Sequence, residues 1–147
     1  MPMFDKAFSP LDVSASGLAA ERMRMRVIAN NIANAQVTET PDGGPYKRQQ
    51  VEFASVLKRS LKGKSAKDAG LSGVKIKGII ESNEPPKMVY IPGHPKANEE
   101  GFVAMPNISL SKEMVDLMIA SRSYEANTSV ISTIRRMNET ALSALRR

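Results

Sequence analysis

The 147-residue chain has no cysteine, no tryptophan, one histidine and few aromatic residues, at 5%. Without cysteine there is no disulfide, no thiolate metal site and no cysteine nucleophile. With so few large rings, burial has to come from small aliphatic side chains and from the nine methionines. No stretch approaches the ~18 uncharged apolar residues of a membrane-spanning helix, so no membrane insertion is expected. The opening dozen residues lack the basic segment, apolar run and small-residue cleavage site of a secretion signal, so no cleaved signal peptide is expected either.

The usual constellations of catalysis are missing too. His94 is the lone histidine and sits in Pro92-Gly93-His94-Pro95, a composition that predicts a turn. It reads as a turn residue, because a histidine metal site or a triad would need partners that the sequence does not gather. Glu99 and Glu100 are adjacent, so they diverge along an extended chain, whereas an acid/base pair needs convergent carboxylates. They read as a solvated loop. There is no phosphate-cradling glycine loop, nucleophile elbow or metal-ligand spacing. The expectation is a protein that is not an enzyme, with no catalytic residues, no metal and no cofactor.

What the chain does have is unevenly distributed. The formal net charge is +6, and it comes from one segment: Lys58, Arg59, Lys62, Lys64, Lys67, Lys75 and Lys77 stand against the single acid Asp68. That run reads as a self-repelling, Gly/Ser/Lys-rich loop over residues 58–73. Attraction to a polyanion is the alternative. Nucleic-acid recognition is weakened because no aromatic side chains for base stacking are interleaved with the charges.

Eight of the nine glycines lie between Gly43 and Gly101, and seven of the nine prolines between Pro41 and Pro106. Both residues disfavour helix interiors, so long helices are expected only outside that window. The predicted fold class is α+β: long N- and C-terminal helices pairing in coiled-coil fashion, with a small β-containing, Gly/Pro-rich middle domain. The predicted divisions are 1–36, 37–106 and 107–147. Leu11, Ala15, Leu18, Met25, Ala29 and Ile32 form an apolar stripe on the first helix, with Ser9 or Asp12 as its cap and Pro10 in its first turn. On the last helix, Leu110, Leu117, Tyr124, Ile131 and Leu145 share one heptad position, and Ala120, Ile134 and Ala141 lie three residues on. Asn127 and Asn138 fall on the same seam, where a buried Asn fixes register at some cost in stability. Ser109 or Ser111 is expected to begin this helix. In the middle, residues 74–80 and 87–91 predict strands, 40–46 a tight turn, and 51–61 either helix or strand.

Ala29-Asn30-Asn31-Ile32-Ala33-Asn34-Ala35 resembles the N-terminal signature of the flagellar axial family, which covers rod, hook and hook-associated proteins. At the other end, Ala120-Ser121-Arg122-Ser123-Tyr124-Glu125-Ala126-Asn127 resembles the C-terminal helix of that family. In the middle, Pro41-Asp42-Gly43-Gly44-Pro45-Tyr46-Lys47-Arg48, Pro92-Gly93-His94-Pro95, Gly101-Phe102-Val103 and Met105-Pro106-Asn107 are similar to its proximal-rod branch. Phe102 stands where the family often has Tyr, and the Lys-rich stretch fits no family pattern.

The resemblance implies a structural subunit of the bacterial flagellar basal body, lying in the periplasm and passing torque along a drive shaft. It implies transit through the flagellar type III export apparatus, and assembly with copies of itself, with neighbouring rod proteins and with rod-base proteins. The residues expected at the assembly interface are Leu11, Leu18, Met25, Asn30, Asn31, Ile32, Asn34, Leu117, Tyr124, Asn127, Ile131 and Ile134. The rival reading is a basic helical adaptor that binds nucleic acid, although no nucleic acid is expected on the residues above.

Overall fold

The computed structural model describes residues 2–57 and 71–145. The chain runs α1 (Pro2–Ala33), β1 (Gln49–Leu57), β2 (Leu71–Glu81), β3 (Lys87–Tyr90), β4 (Phe102–Met105) and α2 (Leu110–Leu145). It is thus an α+β protein with two long helices and two small antiparallel sheets. The basic run expected at 58–73 falls outside the described residues except for its last three, which begin β2.

Helix α1 has 32 residues and α2 has 36, or about 48 and 54 Å at 1.5 Å per residue. The predicted start of α1 is corrected. Ser9 and Asp12 do not cap it, because the helix reaches back to Pro2, and Pro10 lies inside it. A proline in a helix interior removes one backbone bond, so its first-turn preference misplaces the boundary here. The end of α1 is closed locally: Asn34 donates from both its backbone N and its Nδ2 to the Asn30 carbonyl, at 3.0 and 2.8 Å. At the start of α2 the Glu113 N–H donates to the Ser109 carbonyl at 3.0 Å, so Ser109 stands just ahead of the first turn.

Helices α1 and α2 pack side by side and antiparallel. Asn31 meets Glu113, Arg24 meets Asp116, and Gly17 meets Asn127, so numbers fall on one helix as they rise on the other. Gly17 marks the close approach, since a Cβ there would stand 3.2 Å from Asn127 Nδ2.

The larger sheet is a hairpin, with Gln49 opposite Glu81 and Val51 opposite Ile79. The register shifts between Glu52 and Phe53 and again between Ser55 and Leu57. At the second shift Gly73 has φ +118° and lies against α1, where Val74 N donates to Ser16 Oγ at 3.1 Å. A Cβ on Gly73 would collide with that oxygen. The smaller hairpin pairs β3 with β4, from Lys87 opposite Met105 to Tyr90 opposite Phe102. Its loop is tied to the 34–48 connection by an ion pair between Lys96 Nζ and Glu39 Oε1 at 2.6 Å.

The core is thin. Among the described residues the buried apolar side chains are Ala20, Val27, Ile28, Val103 and Ala120, together with Pro106. Outside it, Met114, Val115, Met118, Ile119, Val130 and Met137 are all exposed on α2. No helix of the described residues is long and apolar enough to cross a membrane.

Candidate assembly interface

A knot of buried, hydrogen-bonded polar groups lies where α1, β1 and the start of α2 meet. Its centre is Asn31, 1% exposed near the end of α1. Asn31 Nδ2 donates to the Gln49 carbonyl at 2.8 Å and to Glu113 Oε2 at 3.1 Å. Its Oδ1 accepts from Gln49 N at 2.9 Å and from the Tyr46 hydroxyl at 3.2 Å. Glu113, equally buried, receives Arg48 Nε at 2.7 Å. Both ends of the Asn31 amide and both Glu113 oxygens therefore have partners, as burial away from water demands. Burial holds the Tyr46 hydroxyl above the usual tyrosine pKa, and the carboxylates of Glu81 and Glu113 add to the effect. Removing one partner of a buried ion pair such as Arg48–Glu113 costs about 3–5 kcal/mol, because the other charge is left without its partner.

The α2 residues expected at the interface lie on the face turned to α1. Leu117, Tyr124, Asn127, Ile131 and Ile134 are half-buried and, with buried Glu113 and Ala120, step by four and three along the helix. Leu110, Asn138 and Ala141 are exposed and depart from the expected seam. On α1 the expectation shifts by one residue. Ser14, Gly17, Glu21, Arg24, Ile28 and Asn31 alternate steps of three and four and are buried or half-buried, while Ala15 and Ala29 are exposed. Leu11, Leu18, Met25 and Ile32 flank that row, each half-buried. The cause is the β1–β2 hairpin, which covers the Ala20 and Val27 side of α1 and rotates its buried arc away from the most apolar row. Asn34 is half-buried in its cap, and Asn30 is exposed.

The contact between the helices is thus markedly polar. Glu21 Oε2 is buried there without a hydrogen-bond partner. Arg24 and Arg48 both approach Asp116, at 3.8 Å. The sequence pattern does not single out Tyr46, Arg48 or Glu113 as functional. A signal exists for one of them: Glu113 puts an acid at a seam position, which requires a buried polar partner elsewhere.

His94 stands in the turn expected for it. Its Nδ1 accepts the Lys96 N–H at 3.1 Å, and its backbone N–H donates to the Ile91 carbonyl at 3.3 Å.

Known proteins match both the ends and the length of the chain. Residues 11–39 match the family described as flagella basal body rod protein, and residues 99–144 the one described as flagellar basal body rod FlgEFG protein C-terminal. The flagellar basal-body rod protein FlgC of Borreliella burgdorferi is 42% identical, over 94% of this chain and 97% of its own. That of Escherichia coli O6:H1 is 43% identical over 86% and 88%, and that of Bacillus subtilis 40% identical over 92% and 96%. With this likeness running from the Asn31 segment of α1 to the distal part of α2, the chain belongs to the FlgC-type flagellar basal-body rod protein family.

Proposed function

We propose that the chain is a structural, non-enzymatic subunit of the proximal rod of the bacterial flagellum. Identity of about two residues in five with rod proteins over nearly the whole chain carries the reading. The nucleic-acid adaptor has no such support. In the rod, residues 1–36 and 107–147 form the axial part, and residues 37–106 form a middle domain facing outward. The helices pack in coiled-coil fashion against those of neighbours: copies of this chain, other rod proteins and the rod base. The chain reaches that place in the periplasm through the flagellar type III export apparatus without losing a signal peptide.

Two features of the fold support assembly. A chain whose core holds so few buried apolar residues leaves much stabilisation to be gained from neighbours, at about 1.5–3 kcal/mol for each Leu, Ile or Met side chain fully covered. Exposed apolar side chains along one long helix, rather than scattered singly, mark an interaction face.

The test is to delete the gene and restore it with a tagged copy. Cells without the chain should build no rod beyond the base, and the tagged chain should co-purify with basal bodies and label within the rod. Complete rods in the deletion strain would overturn the proposal.

A further inference from the structure

Between α1, β1 and the first turns of α2 lies a cleft of about 480 Å³, with the Asn31 knot in its wall. That volume lies within the range of about 300–1,000 Å³ typical of ligand clefts. Val27, Ile28, Val51 and Phe53 supply apolar lining, and Phe53 remains 40% exposed. Three cations reach it, Arg24, Arg48 and Lys112, against one carboxylate, Asp116.

Their hydrogen-bonding capacity is mostly unused. Arg24 and Arg48 stand 3.8 Å from Asp116, beyond the 2.7–3.2 Å of a hydrogen bond. Among the described residues Arg48 spends only Nε, on Glu113. Among the described residues Lys112 has neither an ion pair nor a side-chain hydrogen bond. Guanidinium groups with open forks beside apolar walls are suited to a carboxylate-bearing segment, because the fork binds such oxygens in bidentate fashion.

The chain carries a matching segment elsewhere. In the turn directly before β4, Glu99 and Glu100 are exposed and, among the described residues, make no ion pair. The knuckle that bears them is held rigid. Asn98 Oδ1 accepts from Glu100 N at 3.1 Å and from Phe102 N at 2.8 Å, and Gly101 N donates to the Asn98 carbonyl at 2.9 Å. Gly101, at φ +82°, has no Cβ to strike Tyr90, which leaves that ring room to rest edge-on against Phe102 with centroids 5.3 Å apart. Tyr90 is 62% exposed, so the knuckle offers two carboxylates and an aromatic anchor with little ordering left to do. It does not line the cleft of its own chain.

We infer that the cleft bounded by Arg24, Arg48, Lys112 and Phe53 receives the Glu99–Glu100 knuckle and Tyr90 of a second copy of this chain. The inference rests on the self-assembly proposed above and names the contact. Because knuckle and cleft are different places on the surface, one copy has room to receive one neighbour in its cleft and to enter another with its knuckle, the head-to-tail arrangement that a filament requires.

The absence of cysteine makes the test clean. A chain with Glu100→Cys and Lys112→Cys, treated in isolated basal bodies with a short bifunctional maleimide, should give cross-linked dimers or longer multimers, and either single variant should give none. Rods that contain the double variant yet yield only monomer overturn the inference, and so do dimers from a single variant, which would mean that like sites meet. If the unsubstituted chain is missing from basal bodies, the rod reading itself fails. As a second measurement, Glu100→Lys alone or Lys112→Glu alone should reduce rod completion by about tenfold, and the combination should restore it. Failure of the exchange to restore rods that each single change impairs counts against the pairing.

Discussion

Replacing Asn31 by alanine removes a side chain that joins α1, β1 and α2. Four hydrogen bonds go with it, two donated by Nδ2 and two accepted by Oδ1. At a net value of about 0.5–1.5 kcal/mol each, the loss would be about 2–6 kcal/mol if nothing relaxed. Water can reach the Gln49 backbone once the amide is gone, because those bonds are only part-buried, so the lower half, about 2–4 kcal/mol, is expected. Set against a total of about 5–15 kcal/mol for a domain, that is a large share. Urea unfolding followed by circular dichroism measures it directly: with a slope of about 1–3 kcal/mol per molar, the midpoint should fall by about 0.7 M or more. Asn31→Asp is the informative companion. It keeps the acceptor, loses the donor and sets a second carboxylate beside Glu113, so it should destabilise at neutral pH at least as much as alanine does and recover on acidification. A loss below about 1 kcal/mol for alanine, or an Asp variant indistinguishable from the parent at neutral pH, would refute the claim that this knot organises the fold.

Two further outcomes are expected. Ile131→Asp combined with Ile134→Asp places carboxylates on the α1-facing side of α2, where an unpartnered charge costs several kcal/mol; export should continue while rod growth stops, scored by secreted protein and basal-body completion, and normal motility would deny that this face is a packing seam. Because the folded-state pKa of Tyr46 is raised, the chain holds that proton more tightly folded than unfolded; the associated stability is complete below pH ~10 and lost as pH climbs through the raised value, so a Tyr46→Phe chain should show a shallower alkaline decline, and identical slopes would contradict the burial.

Much of the architecture is legible in the punctuation of the sequence. A stretch without Gly or Pro from residue 107 onward contains α2, and the β-branched runs at 74–80 and 87–91 fall within or across β2 and β3. Pro10 hides the start of α1, since a proline at a helix beginning and one tolerated inside look alike in sequence. Residues 51–61 suit helix and strand equally in sequence; over the described part, 51–57, pairing with β2 decides for strand. Strand β4, four residues long, is too short for its alternation to register. The polar knot escapes for a different reason. Asn31 lies 15 residues from Tyr46 and 82 from Glu113, and a hydrogen bond between distant residues leaves no periodicity behind. Periodicity also misplaces the α1 seam, because a stripe of Leu and Met records where apolar residues recur and not which neighbour covers them.

The polar seam between the helices has a mechanical meaning. Apolar contacts resist being pulled apart but offer little against sliding, since one methyl group serves nearly as well as the next. Hydrogen bonds and steric pins resist shear, because displacement along the helix axis breaks them without offering a replacement. Here the pins are the Asn31–Glu113 bond and the close approach of Gly17 to Asn127, some 14 residues apart on α1, or about 21 Å. In the rod proposed above, any part of the torsional load that falls as shear between α1 and α2 would meet two pins that far apart, and the pair would answer it as a single stiff beam rather than as sliding rods.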